Sequence, residues 1–246
     1  MYQFFVEPDQ IQGRRVVITG RDVNHIKNVL RMKPGDEISV SNGADGKEYR
    51  CGIEELTEDR ILCELRFIKE ESMELPSRVY LFQGLPKGDK MELIIQKAVE
   101  LGVYEIIPVA CKRAVVKLDG KKAANKTARW QGIAEAAAKQ SRRGMIPQVR
   151  EVMGFREAVS YSGCAPVRMI PYELARGMDK TRELVNNLKP GEDIAVFIGP
   201  EGGFAEEEIE QAVCAGVIPV TLGKRILRTE TAGMTVLSII MYHLED

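Results

Sequence analysis

Histidine is almost absent from this chain: His25 and His243 are the only two in 246 residues. A histidine-rich metal site is therefore excluded, and a Ser-His-Asp triad has few candidates. The five cysteines, at 51, 63, 111, 164 and 214, are odd in number and scattered, with no C-x-x-C pair. Such usage fits reduced thiols in the cytosol. No apolar run approaches the ~18–20 residues of a membrane span. The opening MYQFFVEPDQ lacks the basic flank and long apolar stretch of a secretory leader. The expectation is a cytoplasmic protein with no metal and no membrane association.

Phosphate-loop signatures are missing too. Neither G-x-x-x-x-G-K-[ST] nor G-x-G-x-x-G occurs, and no internal repeat or low-complexity tract stands out. What is present looks like an ordinary globular chain, 44% hydrophobic and 29% charged, with a formal net charge of −1. The charge is unevenly spread. Between Lys112 and Arg150 stand eleven Lys/Arg against Asp119 and Glu135, so that this segment is +9 and the remainder −10. Segregation of this kind reads either as a phosphate-binding footprint or as a solvated helix with lysines on its outer face.

Residues 1–70 read as a small β-barrel. RRVVITG (14–20), DEISVSN (36–42), KEYRCGI (47–53) and RILCELRFI (60–68) are short, β-branched runs divided by turns such as NGADG. In the last of them Ile61, Cys63, Leu65 and Phe67 alternate with Glu64 and Arg66, as in a half-buried strand. A helix over 23–32 places Ile26, Val29 and Leu30 on one face, and His25 reads as a packing or capping residue. Residues 71–77 form a linker. From 78 onward strands alternate with helices. Strands are expected at 78–85, 103–109, 166–172, 193–199 and 217–223, and helices at 90–102, 126–143, 205–216 and 231–245. In the 90–102 helix Ile94, Ala98 and Leu101 face inward and Gly102 is the stop. Val236, Ile239 and Ile240 place the last helix in the core. This order predicts an α/β fold: a mostly parallel sheet covered on both faces, binding ligands at its C-terminal strand ends.

Two strand-end loops stand out. IGPEGGF (198–204) puts glycines at a strand-to-helix turn, yet it carries Glu201, and Glu206, Glu207 and Glu208 follow. Acid in the first helical turn spoils that end as a phosphate site, which favours a ligand without phosphates. The competing reading is a tight turn before a well-charged helix. The second loop, LGKRILRTETAG (222–233), sets Lys224, Arg225 and Arg228 around apolar Ile226 and Leu227. Together the loops suit an adenosine held by backbone contacts, with Ile226 and Leu227 against its ring.

IGPEGGF-x-x-x-E followed by LGKRILRTETA resembles the signature of the SPOUT methyltransferase superfamily, and specifically the ribosomal RNA small subunit methyltransferase E family. HIKNVLRMKPGD (25–36) is similar to that family's PUA-like RNA-binding barrel, and KAVELGVYEIIPV (97–109) and AAAKQSRRGMIP (136–147) to its central motifs. The resemblance spans essentially the whole chain, the paired C-terminal motifs being the most specific. It implies a SPOUT domain over 78–246 with a deep trefoil knot, a homodimer, S-adenosyl-L-methionine as methyl donor, and methylation of N3 of a uridine in 16S rRNA. Another rRNA or tRNA site, or a non-catalytic RNA-binding protein, are the alternatives. Carried over by position, the cofactor loops are Gly199, Pro200, Glu201, Gly202 and Gly203, then Leu222, Gly223, Ile226, Leu227 and Arg228. Thr231 and Ala232 stand at the helix start, and Ile170, Pro171 and Tyr172 at a third strand end. A sulfonium ligand also fits the acidity of the first loop.

The resemblance makes Arg143 the first candidate for stabilising charge on the reacting base and Arg228 the second. Glu201 either accepts a proton or braces its loop. Candidate RNA contacts are Arg31, Lys122, Lys126, Arg129, Arg142 and Arg143. The sequence departs from the family pattern at Ala205, where an N-capping Ser or Thr is common, and at Lys139 and Arg142, which add positive charge.

Overall fold

The structure, a computed structural model, describes residues 1–70, 72–118 and 120–245. The chain divides into two compact units. The first takes Met1–Glu74 and Ala138–Ile146; the second takes Leu75–Ala137 and Pro147–Asp246. A linear reading leaves 138–146 with the second unit, because nothing local in that segment announces its return.

In the first unit six strands form one sheet: β1 (Gln3–Phe5), β2 (Ile11–Gln12), β3 (Arg15–Thr19), β4 (Glu37–Ser41), β5 (Glu48–Leu56) and β6 (Arg60–Lys69). Their spatial order is β1-β4-β5-β6-β3-β2. Among the described residues of this sheet only β1 and β4 run parallel. The sheet curls around Val16, Ile18, Ile38, Val40, Ile61 and Cys63, each no more than 1% exposed. Two of the inward alternations expected from sequence fail. A bulge between Arg50/Cys51 and Phe67/Leu65 shifts the β5–β6 register, and Phe67 ends 59% exposed. The expected helix at 23–32 begins as α1 (Arg21–Asn24) and widens into a π-turn over His25–Val29, where the Leu30 N–H donates to the His25 carbonyl. The wider turn keeps Ile26 buried but rotates Val29 out, 63% exposed. His25 meets Phe4 edge to face, with ring centroids 6.3 Å apart.

Side chains of the first unit pin the returning segment at several points. Asp22 holds Lys139 at 3.0 Å, Gln3 donates to the Arg143 carbonyl at 2.6 Å, and Ser41 donates to the Gly144 carbonyl at 2.7 Å. Glu74 accepts from the Arg143 guanidinium (Nε at 3.1 Å) and from the Gly144 N–H at 3.0 Å. Between these anchors Arg142 is exposed with φ +60, and Arg31 has φ +53; both are unusual backbone values for a residue with a Cβ.

The second unit holds seven parallel strands: β7 (Val79–Gly84), β8 (Glu105–Ala110), β9 (Gln148–Val149), β10 (Met153–Gly154), β11 (Val167–Pro171), β12 (Ile194–Ile198) and β13 (Ile218–Val220). The order is β10-β8-β7-β12-β11-β13, with β9 also on β8. Every residue of β7 and β12 is buried, as expected for parallel strands covered on both faces. Their Phe82 and Phe197 rings stack 4.4 Å apart. The helices are α2 (Lys90–Glu100), α3 (Gly120–Ser141), α4 (Phe155–Tyr161), α5 (Asp179–Asn186), α6 (Glu206–Cys214) and α7 (Thr229–Leu244). α7 packs on α2, α5 and β12, while α4 packs on α6 and β8. In α2 Ile94 and Ala98 are buried and Leu101 is half-buried at the end. Gly102 (φ +86) ends the helix, and the Val103 N–H donates back to the Ala98 carbonyl. No described helix is long and apolar enough to cross a membrane.

The Glu74–Arg143 pair generates a stability test. Arg143→Ala strands a carboxylate among the N–H groups of 144 and 145 and leaves it without its cation. The expected loss is ~3 kcal/mol, read by urea denaturation. A double change to Glu74→Leu with Arg143→Met should recover much of it.

Candidate active site

A cavity of about 360 Å³ opens at the C-terminal ends of β11, β12 and β13, a volume in the usual range for small-molecule sites. Its walls are the loop after β12, the loop after β13 and the strand end at Pro171–Tyr172–Glu173. From the first loop come Gly199, Pro200, Glu201 and Gly203, with Ile198 and Phe204 at its ends. From the second come Leu222, Gly223, Ile226, Leu227 and Arg228, and Ala232 follows in α7. Apolar side chains and open backbone dominate, a surface suited to a flat ring with polar edges.

Hydroxyls and amides fasten the two loops from behind. Gln83, fully buried at the end of β7, donates its amide to Thr229 Oγ1 at 2.8 Å. Thr229 in turn donates to the Gly199 carbonyl at 2.7 Å, joining the start of α7 to the first loop. The Thr181 hydroxyl of α5 donates to the Thr221 carbonyl at 2.9 Å and accepts the Thr221 N–H at 3.1 Å. Gly84 lets Pro200 approach β7: an added Cβ would stand 2.6 Å from Pro200 Cδ. A turn closes the glycine loop, the Gly203 N–H (φ +66) donating to the Pro200 carbonyl at 2.9 Å.

The acid of the first loop is spent on local partners. Glu201 accepts the Lys87 N–H at 3.1 Å and lies 3.0 Å from Lys90 Nζ, which also reaches Glu230 at 3.4 Å. Partial burial pushes the Glu201 carboxyl up, but its own N–H, the Lys90 ammonium and the Lys87 N–H outweigh that and hold it below its ordinary value. Glu208, the third residue of α6, accepts the Ala205 N–H at 2.8 Å and the Lys112 N–H at 2.8 Å, supplying the acidic half of a capping box whose hydroxyl half is missing at Ala205. Glu207 pairs with Lys112 at 2.9 Å. By contrast Lys224, Arg225 and Arg228 have no carboxylate partner among the described residues.

Sequence segregation of charge is partly offset in space, five of the eleven cations being paired. Of the basic run, Lys112, Arg129, Lys139, Arg143 and Arg150 pair with Glu207, Glu92, Asp22, Glu74 and Glu105, all from outside that run. Arg143, the first candidate for stabilising charge on the reacting base, is 3% exposed and its guanidinium is engaged by Glu74. Lys122 and Arg129 are exposed on α3 and Lys126 is half-buried there, Arg129 being engaged by Glu92 at 2.8 Å. Ile170 is buried in β11, and neither it nor Gly202 nor Thr231 lines the cavity. Lys90, Thr229, Lys224 and Arg225 do line it. The K-R-I-L-R run was a signal for the last two, whereas Lys90 and Thr229 have none, since their roles depend on partners distant in sequence. Cys51, Cys63 and Cys111 are buried; burial raises Cys51 and Cys63 to about 12 and Cys111 further still. No three His, Cys, Asp or Glu side chains gather as a metal site among the described residues.

Residues 73–241 match the family model of an RNA methyltransferase domain, and residues 18–66 that of an RNA methyltransferase PUA domain. The parallel sheet with its strand-end cavity is thus the catalytic domain type of RNA methyltransferases. Over 251 aligned residues the chain is 39% identical to the ribosomal RNA small subunit methyltransferase E of Bacillus subtilis (strain 168), covering 100% of this chain and 98% of the relative. A crystal structure of a ribosomal RNA small subunit methyltransferase E from Neisseria gonorrhoeae, bound to S-adenosyl methionine, superposes with a TM-score of 0.85 at 33% identity, over 98% of this chain and 97% of the other. A putative methyltransferase from Legionella pneumophila, in complex with bound cofactor SAM, gives 0.85 at 31% identity, over 98% and 97%. The chain belongs to the ribosomal RNA small subunit methyltransferase E family.

The depressed Glu201 carboxyl has a pH signature. Its contribution to stability is present above the ordinary glutamate value of 4.5 and is lost as pH falls through the lower folded value. Wild type should therefore melt above Glu201→Gln at neutral pH, with the gap narrowing below pH 4.5. A gap independent of pH in thermal denaturation would refute the brace.

Proposed function

We propose that this protein transfers a methyl group from S-adenosyl-L-methionine to N3 of a uridine in the 16S rRNA of the small ribosomal subunit, in the cytoplasm. The carrying observation is the cavity between the two strand-end loops, in a chain of this family whose solved neighbours hold the same cofactor. The residues present fit that group. Gly199, Gly203 and Gly223 offer backbone to an adenine edge, while Leu222, Leu227 and Ile198 offer apolar faces. The loop's acid, already paired, leaves no uncompensated anion against a cationic ligand.

When bound, S-adenosylmethionine would supply an electrophilic methyl on its sulfonium; uridine N3, its proton given up to water, would take that methyl as the carbon–sulfur bond breaks and the neutral thioether S-adenosylhomocysteine leaves. The chain's part is positioning and electrostatics. Arg228, exposed at the cavity wall and standing just before α7, is assigned to stabilise the anion that develops on uracil. Glu201, held ionised by Lys90, is assigned as a brace, not a base. Arg143 is assigned to hold the 142–146 turn, so that exposed Arg142 and Arg31 meet RNA, with Lys122 and Lys126 as further contacts. The three buried thiols are held protonated, in keeping with a route that has no covalent cysteine adduct. A homodimer is assigned to α7, where Tyr242 is 85% and Ile239 37% exposed.

An N3 methyl blocks the Watson–Crick edge and stops reverse transcriptase. Incubating unmethylated 16S rRNA, or subunits containing it, with protein and cofactor should create one new stop at a uridine; a stop only in another RNA moves the substrate. Thr229→Val removes the hydroxyl between Gln83 and Gly199. Calorimetry should show cofactor affinity falling about tenfold, equivalent to ~1.4 kcal/mol, with Thr229→Ser close to wild type.

A further inference from the structure

The loop after β13 carries more positive charge than the proposed cofactor requires. Within the cavity lining Lys90 and Glu201 pair with each other, leaving Lys224, Arg225 and Arg228 against Glu173. S-adenosylmethionine brings one carboxylate together with an ammonium and a sulfonium, so it is itself a net cation. Its single carboxylate can be met by backbone N–H groups of the loops, Arg228 is assigned to the uracil anion, and Glu173 offsets only one of the remaining charges. Two further cations at the mouth of such a site oppose that ligand unless a second, strongly anionic one binds beside it.

Three features mark where the second ligand lies. Lys224 and Arg225 are exposed, and no carboxylate engages them among the described residues, although five cations of the 112–150 run are so engaged. Gly223, with φ +113 and nothing within 4 Å of where a Cβ would stand, precedes them directly. Ile226 follows at 85% exposure and belongs to the cavity wall, an apolar side chain left in water beside two cations. Alternation of cations with an exposed apolar group suits single-stranded nucleic acid, whose phosphates take the charge and whose unstacked base covers the apolar surface. A protein partner would ask for carboxylates and a broader apolar patch.

We propose that Lys224 and Arg225 form a phosphodiester-binding rim, gripping the RNA backbone next to the target nucleotide while Ile226 lies against an unstacked base. The proposal rests on the RNA-methylation reading above and adds the place where the cavity itself holds the substrate. The two possible sources of an anionic oxygen here, the cofactor carboxylate and the RNA phosphate, separate experimentally.

The test compares the full-length protein with Lys224→Gln/Arg225→Gln, using calorimetry for S-adenosylmethionine and filter binding for transcribed 16S rRNA over 50–200 mM KCl. The expected result is cofactor affinity within twofold of wild type and RNA affinity lowered roughly tenfold at 150 mM. The slope of log affinity against log salt should become shallower by about 1.4, two single-strand phosphate contacts' worth. Lys224→Arg/Arg225→Lys should retain the wild-type slope, and matched melting curves exclude misfolding. RNA affinity and slope unchanged in the Gln variant, with wild type binding and methylating normally, overturn the rim alone. Cofactor affinity lost with RNA binding intact assigns the cations to the carboxylate and also overturns it. No binding by wild type, either to the transcript or to small subunits containing unmethylated 16S rRNA, overturns both the rim and the functional reading.

Discussion

The hydroxyl of Thr229 is the point on which the cavity depends. Loops without regular structure keep a shared shape only when fastened to something rigid, and the rigid body here is the doubly covered sheet. Through Thr229 the buried amide of Gln83 on β7 reaches the Gly199 carbonyl, so the start of α7 and the glycine loop are registered against one strand. Thr181 does the same for the entry to the second loop. Small side chains complete the arrangement, since Gly84 admits Pro200 directly against the strand end. Preorganisation of this kind lets binding energy go into contacts instead of loop ordering.

Electrostatics around that framework follow from pairing more than from composition. Acid in the glycine loop suggests a filter against phosphates, but each key carboxylate has a local duty. Glu201 ties the loop to α2, Glu208 caps α6, and Glu207 meets Lys112. The basic run likewise gives up five of its cations to carboxylates elsewhere in its own units. Unpaired charge at the cavity is therefore positive on balance, Lys224, Arg225 and Arg228 standing against Glu173. That positive charge sits on the very loop that also exposes Ile226.

Legibility from sequence followed the range of the interaction. Buried runs such as 79–84 and 194–198, and stops such as Gly102, are local signals and stand where the sequence places them. The two strand-end loops were legible through their glycines and their apolar-basic pattern. Phe67 and Val29 were misread because a bulge and a π-turn change the period without changing residue type. The two-residue β9 and β10 are too short to show any period. The engagement of Arg143 by Glu74 has no local signal because Glu74 lies far back in the chain, and the partners of Lys90 and Thr229 are hidden for the same reason.

The register of the central strands also constrains how the chain can be made. β7 finds β8 soon after it emerges, but its other edge pairs with β12, whose residues Ile194–Ile198 come near the end of synthesis. Until then β7 presents an open, largely apolar strand edge, the kind of surface that recruits other chains. The first unit waits as well, because the segment that Gln3, Ser41 and Glu74 hold is 138–146. Neither unit can finish while only its own first stretch has left the ribosome, so folding of this protein is tied to nearly complete translation.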